Sequence, residues 1–147
     1  AELVLVGAGS YEATLRKRAG ANVSFAGRVS DTAMKNMLEA ADVFAMPCRT
    51  RGGGLDVEGL GIVYLEAQAA GIPVIAGDSG GAPETVTSET GFVIPAKDQT
   101  VLYDALTTLL GDATKRRAMG QAGRRHVEET WTWEIMGQRL RKVLGYR

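Results

Sequence analysis

The chain has one cysteine and one histidine among its 147 residues. A lone Cys48 cannot close an internal disulfide, which fits a reducing compartment. No Cys-x-x-Cys pair, no His-Glu-x-x-His string and no Ser-His-Asp set is present. Aromatic residues make up only 6% of the chain and the formal net charge is zero. Without excess positive charge or aromatic residues interleaved with basic ones, no nucleic-acid partner is expected. No apolar run reaches the roughly eighteen residues that a membrane-spanning helix needs. The opening AELVLVGAG enters a strand pattern without a basic segment, so it does not read as a signal peptide. Internal repeats and low-complexity tracts are also missing. A cytoplasmic protein is expected.

What is present suits one soluble domain, 1–147, with 45% hydrophobic residues to build a core. Charge is unevenly spread: residues 1–114 carry 8 basic and 14 acidic side chains, residues 115–147 carry 9 and 3. The basic end reads either as a solvated face of terminal helices or as a contact for an anionic membrane or partner.

Apolar periodicity and turn residues divide the chain into alternating strands and helices. LVLV within Glu2–Val6 reads as a buried strand stopped by Gly7-Ala8-Gly9, and Ser10 as the cap of a helix from Tyr11 to about Ala19. Val23–Ala26 is a second strand. Ser30 or Asp31 caps a helix to about Ala40, with Met34, Met37, Leu38 and Ala41 on one face. Val43–Met46 is a third strand, Val74–Ala76 a fourth and Gly91–Ile94 a fifth, with a helical turn at Pro83-Glu84 between the last two. Helices follow near 98–110, 113–129 and Trp133–Leu144. Strands of continuous apolar residues alternating with helices imply an α/β fold, a Rossmann-like parallel sheet with helices on both faces. Such folds bind ligands beyond the carboxyl ends of their strands.

The chemistry concentrates in the loop after the third strand, GGGLDVEGLGIVYLE from Gly52 to Glu66. Glu58 falls in the loop, Gly61 or a neighbour opens a helix, and Glu66 lies in its second turn. Glycines permit positive φ and close backbone approach. A helix start presents unpaired N–H groups and a positive dipole end, suited to a diphosphate. Eight helical residues would span roughly 12 Å. One extended ligand with hydroxyls at each end and a diphosphate between, as in a nucleotide-sugar, fits that layout.

Glu58 and Glu66 reproduce the E-x7-E motif, and the chain resembles the retaining GT-B glycosyltransferases, which include sucrose synthase and many mannosyltransferases. The string RTRGGGLDVEGLGIVYLEAQAA (Arg49–Ala70) and AGDSGGAPETVT (Ala76–Thr87) are similar to the phosphatidylinositol mannosyltransferases of actinobacteria. The resemblance implies the donor-binding, C-terminal half of a GT-B enzyme, ending in a cross-over helix at which Trp131 and Trp133 lie. A preceding strand, with an arginine and a lysine for the donor diphosphate, has no counterpart, so a fragment lacking its N-terminal acceptor half is expected. The implied donor is GDP-mannose and the implied acceptor a lipid-linked phosphatidylinositol mannoside, with peripheral contact at the inner face of the plasma membrane. By resemblance Glu66 holds ribose hydroxyls and Glu58 sugar hydroxyls, making Glu58 the residue on which catalysis depends. The backbone of Gly59, Leu60, Gly61, Ile62 and Val63 would face sugar and diphosphate. The corner Gly27-Arg28-Val29-Ser30-Asp31 would border the base, Val29 through its backbone and Ser30 or Asp31 through hydrogen bonds from guanine. For Ser30 and Asp31, plain helix capping is the alternative; for Glu66 it is an exposed helical glutamate.

Other features carry less. Gly7-Ala8-Gly9 lacks the third glycine of a dinucleotide motif, since position 12 is Glu12, and reads as a tight turn or a loop near the donor. Asp56-Val57-Glu58 mimics an acidic metal motif, but the resemblance implies no metal and no cofactor. Arg49 and Arg51 are either solvated or aimed at phosphate or acceptor. His126 reads as a surface histidine and Cys48 as packed rather than reactive. The competing readings are a UDP- or ADP-sugar transferase with another acceptor, and a nucleotide-sugar-binding module without chemistry.

Overall fold

The computed structural model describes residues 1–145. Its elements run β1 (Leu3–Val6), α1 (Glu12–Arg18), β2 (Val23–Gly27), α2 (Asp31–Ala40), β3 (Phe44–Met46), α3 (Ile62–Ala69), β4 (Val74–Gly77), β5 (Gly91–Ile94), α4 (Gln99–Gly111), α5 (Ala113–Thr130) and α6 (Trp133–Val143). Short 3-10 turns occupy Gly52–Gly54 and Ala82–Thr85. Every strand pair is parallel, as the alternation implies: β1 with β2 in one sheet, and β3-β4-β5 in another. Residue contacts group the chain into two units, Ala1–Met37 and Leu38–Arg147, dividing inside α2.

In the first unit, β1 pairs with β2 from Leu3↔Val23 onward, and the Gly7 N–H donates to the Gly27 carbonyl at 2.7 Å. Gly7 has φ +117, so the glycine at this turn is required by its backbone. Two expectations fail here. Ser10 does not cap α1: Tyr11 is the capping residue and no side chain bonds the first turn. LVLV is not buried, since Leu3 and Val4 are each 50% exposed. A two-stranded sheet with one short helix has too little apolar surface to cover both faces of its strands. Arg16 instead lies over the Phe25 ring at 4.4 Å and pairs with Glu12. At the start of α2 the Ser30 hydroxyl accepts from the Ala33 N–H at 3.3 Å, which settles its cap. Met34 and Met37 are half-buried and Leu38 buried, whereas Ala41 lies beyond the helix and is exposed.

The second unit is built around β4, all four residues of which are buried between β3 and β5. Ile75 and Ile94 from the sheet, Ala105 and Leu109 from α4 and Met119 from α5 form one core cluster. Asp98 caps α4, Asp112 caps α5 and Thr132 caps α6, each accepting from first-turn amides. Helices α3 and α5 pack closely because α5 has glycine at the crossing. A Cβ on Gly120 would stand 1.9 Å from the Gly71 carbonyl oxygen. Between them Gln68, fully buried, donates to the Thr85 carbonyl at 2.7 Å.

The basic end is less solvated than its composition implies. Arg116 donates to the Leu109 and Leu110 carbonyls and pairs with Asp42, while Arg124 donates to the Ala69 and Ala70 carbonyls. Both arginines thus close the ends of other helices, where carbonyls lack intrahelical partners. Trp131 donates to His126 Nε2 at 3.1 Å, so the histidine has an orienting partner five residues away. Trp133 is 90% exposed at the start of α6.

Candidate functional site

The loop from Cys48 to Gly61 leaves the carboxyl end of β3 and enters α3, the position where parallel α/β units present ligand-binding groups. Its first part is a small hairpin. Arg51 and Asp56 exchange backbone hydrogen bonds at 2.9 and 3.2 Å, and their side chains pair with Nη2 to Oδ2 at 2.5 Å. Gly52, Gly53 and Gly54, all at positive φ, make the turn between them. The Arg51 guanidinium and the Asp56 carboxylate are thus each other's partners. Among the described residues no three His, Cys, Asp or Glu side chains gather in a group able to hold a metal ion.

The second part turns into the helix. Gly61 has φ +77 and ψ +56 as the capping residue of α3. Glycine is required twice over, by that conformation and by space: a Cβ here would lie 2.4 Å from the Tyr64 ring. No side chain caps α3, so its first amides are left for a ligand or solvent, while the Tyr64 N–H bonds the Gly61 carbonyl at 2.9 Å. Gly59, Leu60, Gly61, Ile62 and Val63 form the turn into the helix and its first residues. Glu66 falls in the second turn with an exposed side chain, and Glu58 is half-buried in the loop before it. Glu58 and Arg49 line a cleft of about 350 Å³ that also meets Cys48, Arg51, Asp56 and Val57.

Three supports of this loop escape a reading of the sequence. Tyr64, fully buried on α3, donates its hydroxyl to the Met46 carbonyl at 2.5 Å and lies 3.2 Å from Cys48 Sγ. Its ring meets Phe44 edge-on at 6.0 Å. Burial, and next the hydrogen bond with Cys48, push the Tyr64 phenol well above its ordinary range, so it stays protonated. Second, Ser79 accepts from the Glu58 N–H at 3.2 Å and lies 3.0 Å from the Thr50 hydroxyl. Third, Gly77 lets β4 meet the loop: a Cβ there would lie 1.8 Å from the Cys48 carbonyl oxygen. The signal for the second and third was the Gly-Asp-Ser-Gly-Gly string itself; for Tyr64 there was none beyond an apolar helix position.

Arg28, Val29, Ser30 and Asp31 belong to the first unit, at the carboxyl end of β2 and the start of α2. Ser30 supplies the cap, and Asp31 is the acidic residue of the first turn.

Residues 1–126 match the family described as Glycosyl transferases group 1. The chain is 61% identical over 147 residues to the GDP-mannose-dependent monoacylated alpha-(1-6)-phosphatidylinositol monomannoside mannosyltransferase of Corynebacterium glutamicum, covering 98% of this chain and 39% of that protein. It is 50% identical over 150 residues to the GDP-mannose-dependent alpha-(1-6)-phosphatidylinositol monomannoside mannosyltransferase of Mycobacterium tuberculosis, again 98% of this chain and 39% of the relative. Among solved structures, sucrose-phosphate synthase from Thermosynechococcus elongatus superposes with a TM-score of 0.81 at 30% identity, covering 98% of this chain and 39% of that one. The chain thus spans about two fifths of the length of the curated relatives it matches. Its fold is the Rossmann-like α/β fold of the C-terminal half of a GT-B glycosyltransferase, as the resemblance implied. The chain belongs to the group 1 glycosyl transferases.

Proposed function

We propose that this chain is the donor-binding part of a retaining mannosyltransferase that moves mannose from GDP-mannose to a phosphatidylinositol mannoside. The observation that carries the reading is the entrance of α3, where one glycine-turned, uncapped helix start stands between Glu58 and Glu66. The names of relatives 61% and 50% identical over nearly the whole chain support GDP-mannose as donor.

In this reading Glu66 binds the ribose hydroxyls and Glu58 the mannose hydroxyls. The first amides of α3 face the diphosphate. As the bond from mannose C1 to the diphosphate oxygen breaks, negative charge grows on the leaving oxygens. Amides already aimed there stabilise the transition state more than the ground state. The acceptor hydroxyl oxygen bonds to C1 on the face the diphosphate leaves, and its proton passes to the departing diphosphate. Val29, Ser30 and Asp31 are assigned to the guanine, whose N1–H and N2–H₂ donors suit a carboxylate, with Arg28 beside them. No metal or cofactor has a role in the proposal. In this reading the enzyme works in the cytoplasm, and a lipid-linked acceptor would bring it into peripheral contact with the membrane face. Among the described residues no helix is long and apolar enough to cross a membrane.

The test is titration of the complete gene product with GDP, GDP-mannose, UDP and ADP, alongside two variants. Glu66→Ala is expected to weaken GDP binding by about tenfold or more, the scale of hydrogen bonds to a charged group. Glu58→Ala is expected to lower kcat while leaving GDP affinity near the parent value, since GDP carries no sugar. Preference for UDP or ADP would replace the mannosyl donor, and nucleotide binding without transfer to any glycolipid would reduce the protein to a binding module.

A further inference from the structure

Ser79 is fully buried just beyond the end of β4, yet it is polar and both its bonds reach the loop that carries Glu58. Its hydroxyl oxygen accepts from the Glu58 N–H at 3.2 Å and stands 3.0 Å from Thr50 Oγ1. With the oxygen accepting from the amide, the Ser79 hydrogen is left for Thr50. One side chain thereby fastens the start and the end of the loop together. The next residues take the other backbone group of the same residue, for the Gly81 N–H donates to the Glu58 carbonyl at 3.1 Å. A Cβ on Gly80 would lie 1.8 Å from that carbonyl oxygen, and one on Gly81 would lie 2.3 Å from the Gly59 oxygen. Gly80 also has φ +55. The backbone approaches nearer than any side chain permits, and both backbone polar groups of Glu58 are held by one short segment.

We propose that Ser79, with Gly80 and Gly81, is a positioning element for the transfer step: it holds the Glu58 backbone so that the carboxylate stands at the cleft. The inference rests on the proposed role of Glu58 toward the sugar. Packing alone would not call for this arrangement, because an alanine fills the space of a buried serine without needing partners. Holding a sugar-binding carboxylate does call for it, since a shift of about 1 Å in a positioning group costs on the order of a hundredfold in rate.

The experiment is a double-mutant cycle in the complete gene product, reading kcat for mannosyl transfer, GDP affinity and the thermal midpoint. Ser79→Ala is expected to lower kcat roughly tenfold with GDP affinity within about twofold, a loss confined to the transfer step. In a Glu58→Gln background the same substitution is expected to change kcat by less than about twofold, because residues acting through one group are not additive. A full, additive loss in both backgrounds overturns the proposal and leaves the role of Glu58 intact. Parent-level kcat in Glu58→Gln alone overturns the assigned role of Glu58 and the proposal with it. Thr50→Val alters only an exposed side chain and removes the far end of the link. It is expected to lower kcat about threefold, and if Ser79→Ala does not fold, an unchanged kcat in Thr50→Val overturns the proposal.

Discussion

Single residues decide how the helix entrance is held. Tyr64 is the clearest case, because its hydroxyl reaches the Met46 carbonyl from a fully buried ring. Tyr64→Phe keeps the ring packing and removes one of that carbonyl's two donors, the Cys48 N–H remaining at 2.7 Å, so a loss of about 0.5–1.5 kcal/mol is expected by chemical denaturation at neutral pH. The pH dependence follows from the raised phenol. A group whose folded-state pKa is raised contributes stability fully present below its unfolded value, which for tyrosine is about 10, and lost as pH rises beyond it. The stability gap between parent and Tyr64→Phe should therefore narrow above pH about 10. A gap that stays constant into alkali would contradict the burial of the hydroxyl. The placement of Glu58 in the loop, Gly61 at the helix start and Glu66 in the second turn was legible in the sequence. Tyr64 was not, because an aromatic in an apolar helix reads the same whether its hydroxyl meets water or a strand.

Between elements, the crossing of α3 and α5 shows how close approach is bought with glycine. Alanine is ordinarily better than glycine inside a helix by up to about 1 kcal/mol. At Gly120 the added methyl would stand 1.9 Å from the Gly71 oxygen, so α5 must move away from α3. Overpacking of this kind costs typically about 1–3 kcal/mol, and the clash is expected to win. Gly120→Ala should thus lower the denaturation midpoint, whereas a raised midpoint would mean that the helices separate freely. The same crossing gives the arginines their work. Arg124 closes the end of α3 from 54 and 55 residues away, a role that a count of basic residues near the end of the chain does not disclose. The caps were mixed in legibility. Ser30 caps as its residue type implies, while Ser10 yields the position to Tyr11.

At the scale of the whole molecule, the two units differ in how much they bury. In the second, β4 is wholly buried; in the first, β1 leaves Leu3 and Val4 half exposed on a two-stranded sheet. Sheets of two strands are marginal without further cover. Native-state hydrogen exchange should therefore show the amides of β2 opening at lower free energy than those of β4. Equal protection in the two strands would contradict the division. The order of strands and helices, their parallel pairing and the place of the E-x7-E pair at a loop and helix start were determined by the sequence itself. Hydrophobic period, turn glycines and caps act over a few neighbouring residues, and those signals survive in one dimension. Which distant groups meet was decided only by the tertiary structure: Tyr64 with Met46 across 18 residues, Ser79 with Glu58 across 21, Arg124 with Ala69 across 55. The parallel crossovers that bring them together place chemically ordinary residues at hydrogen-bonding distance, and no local pattern records that placement.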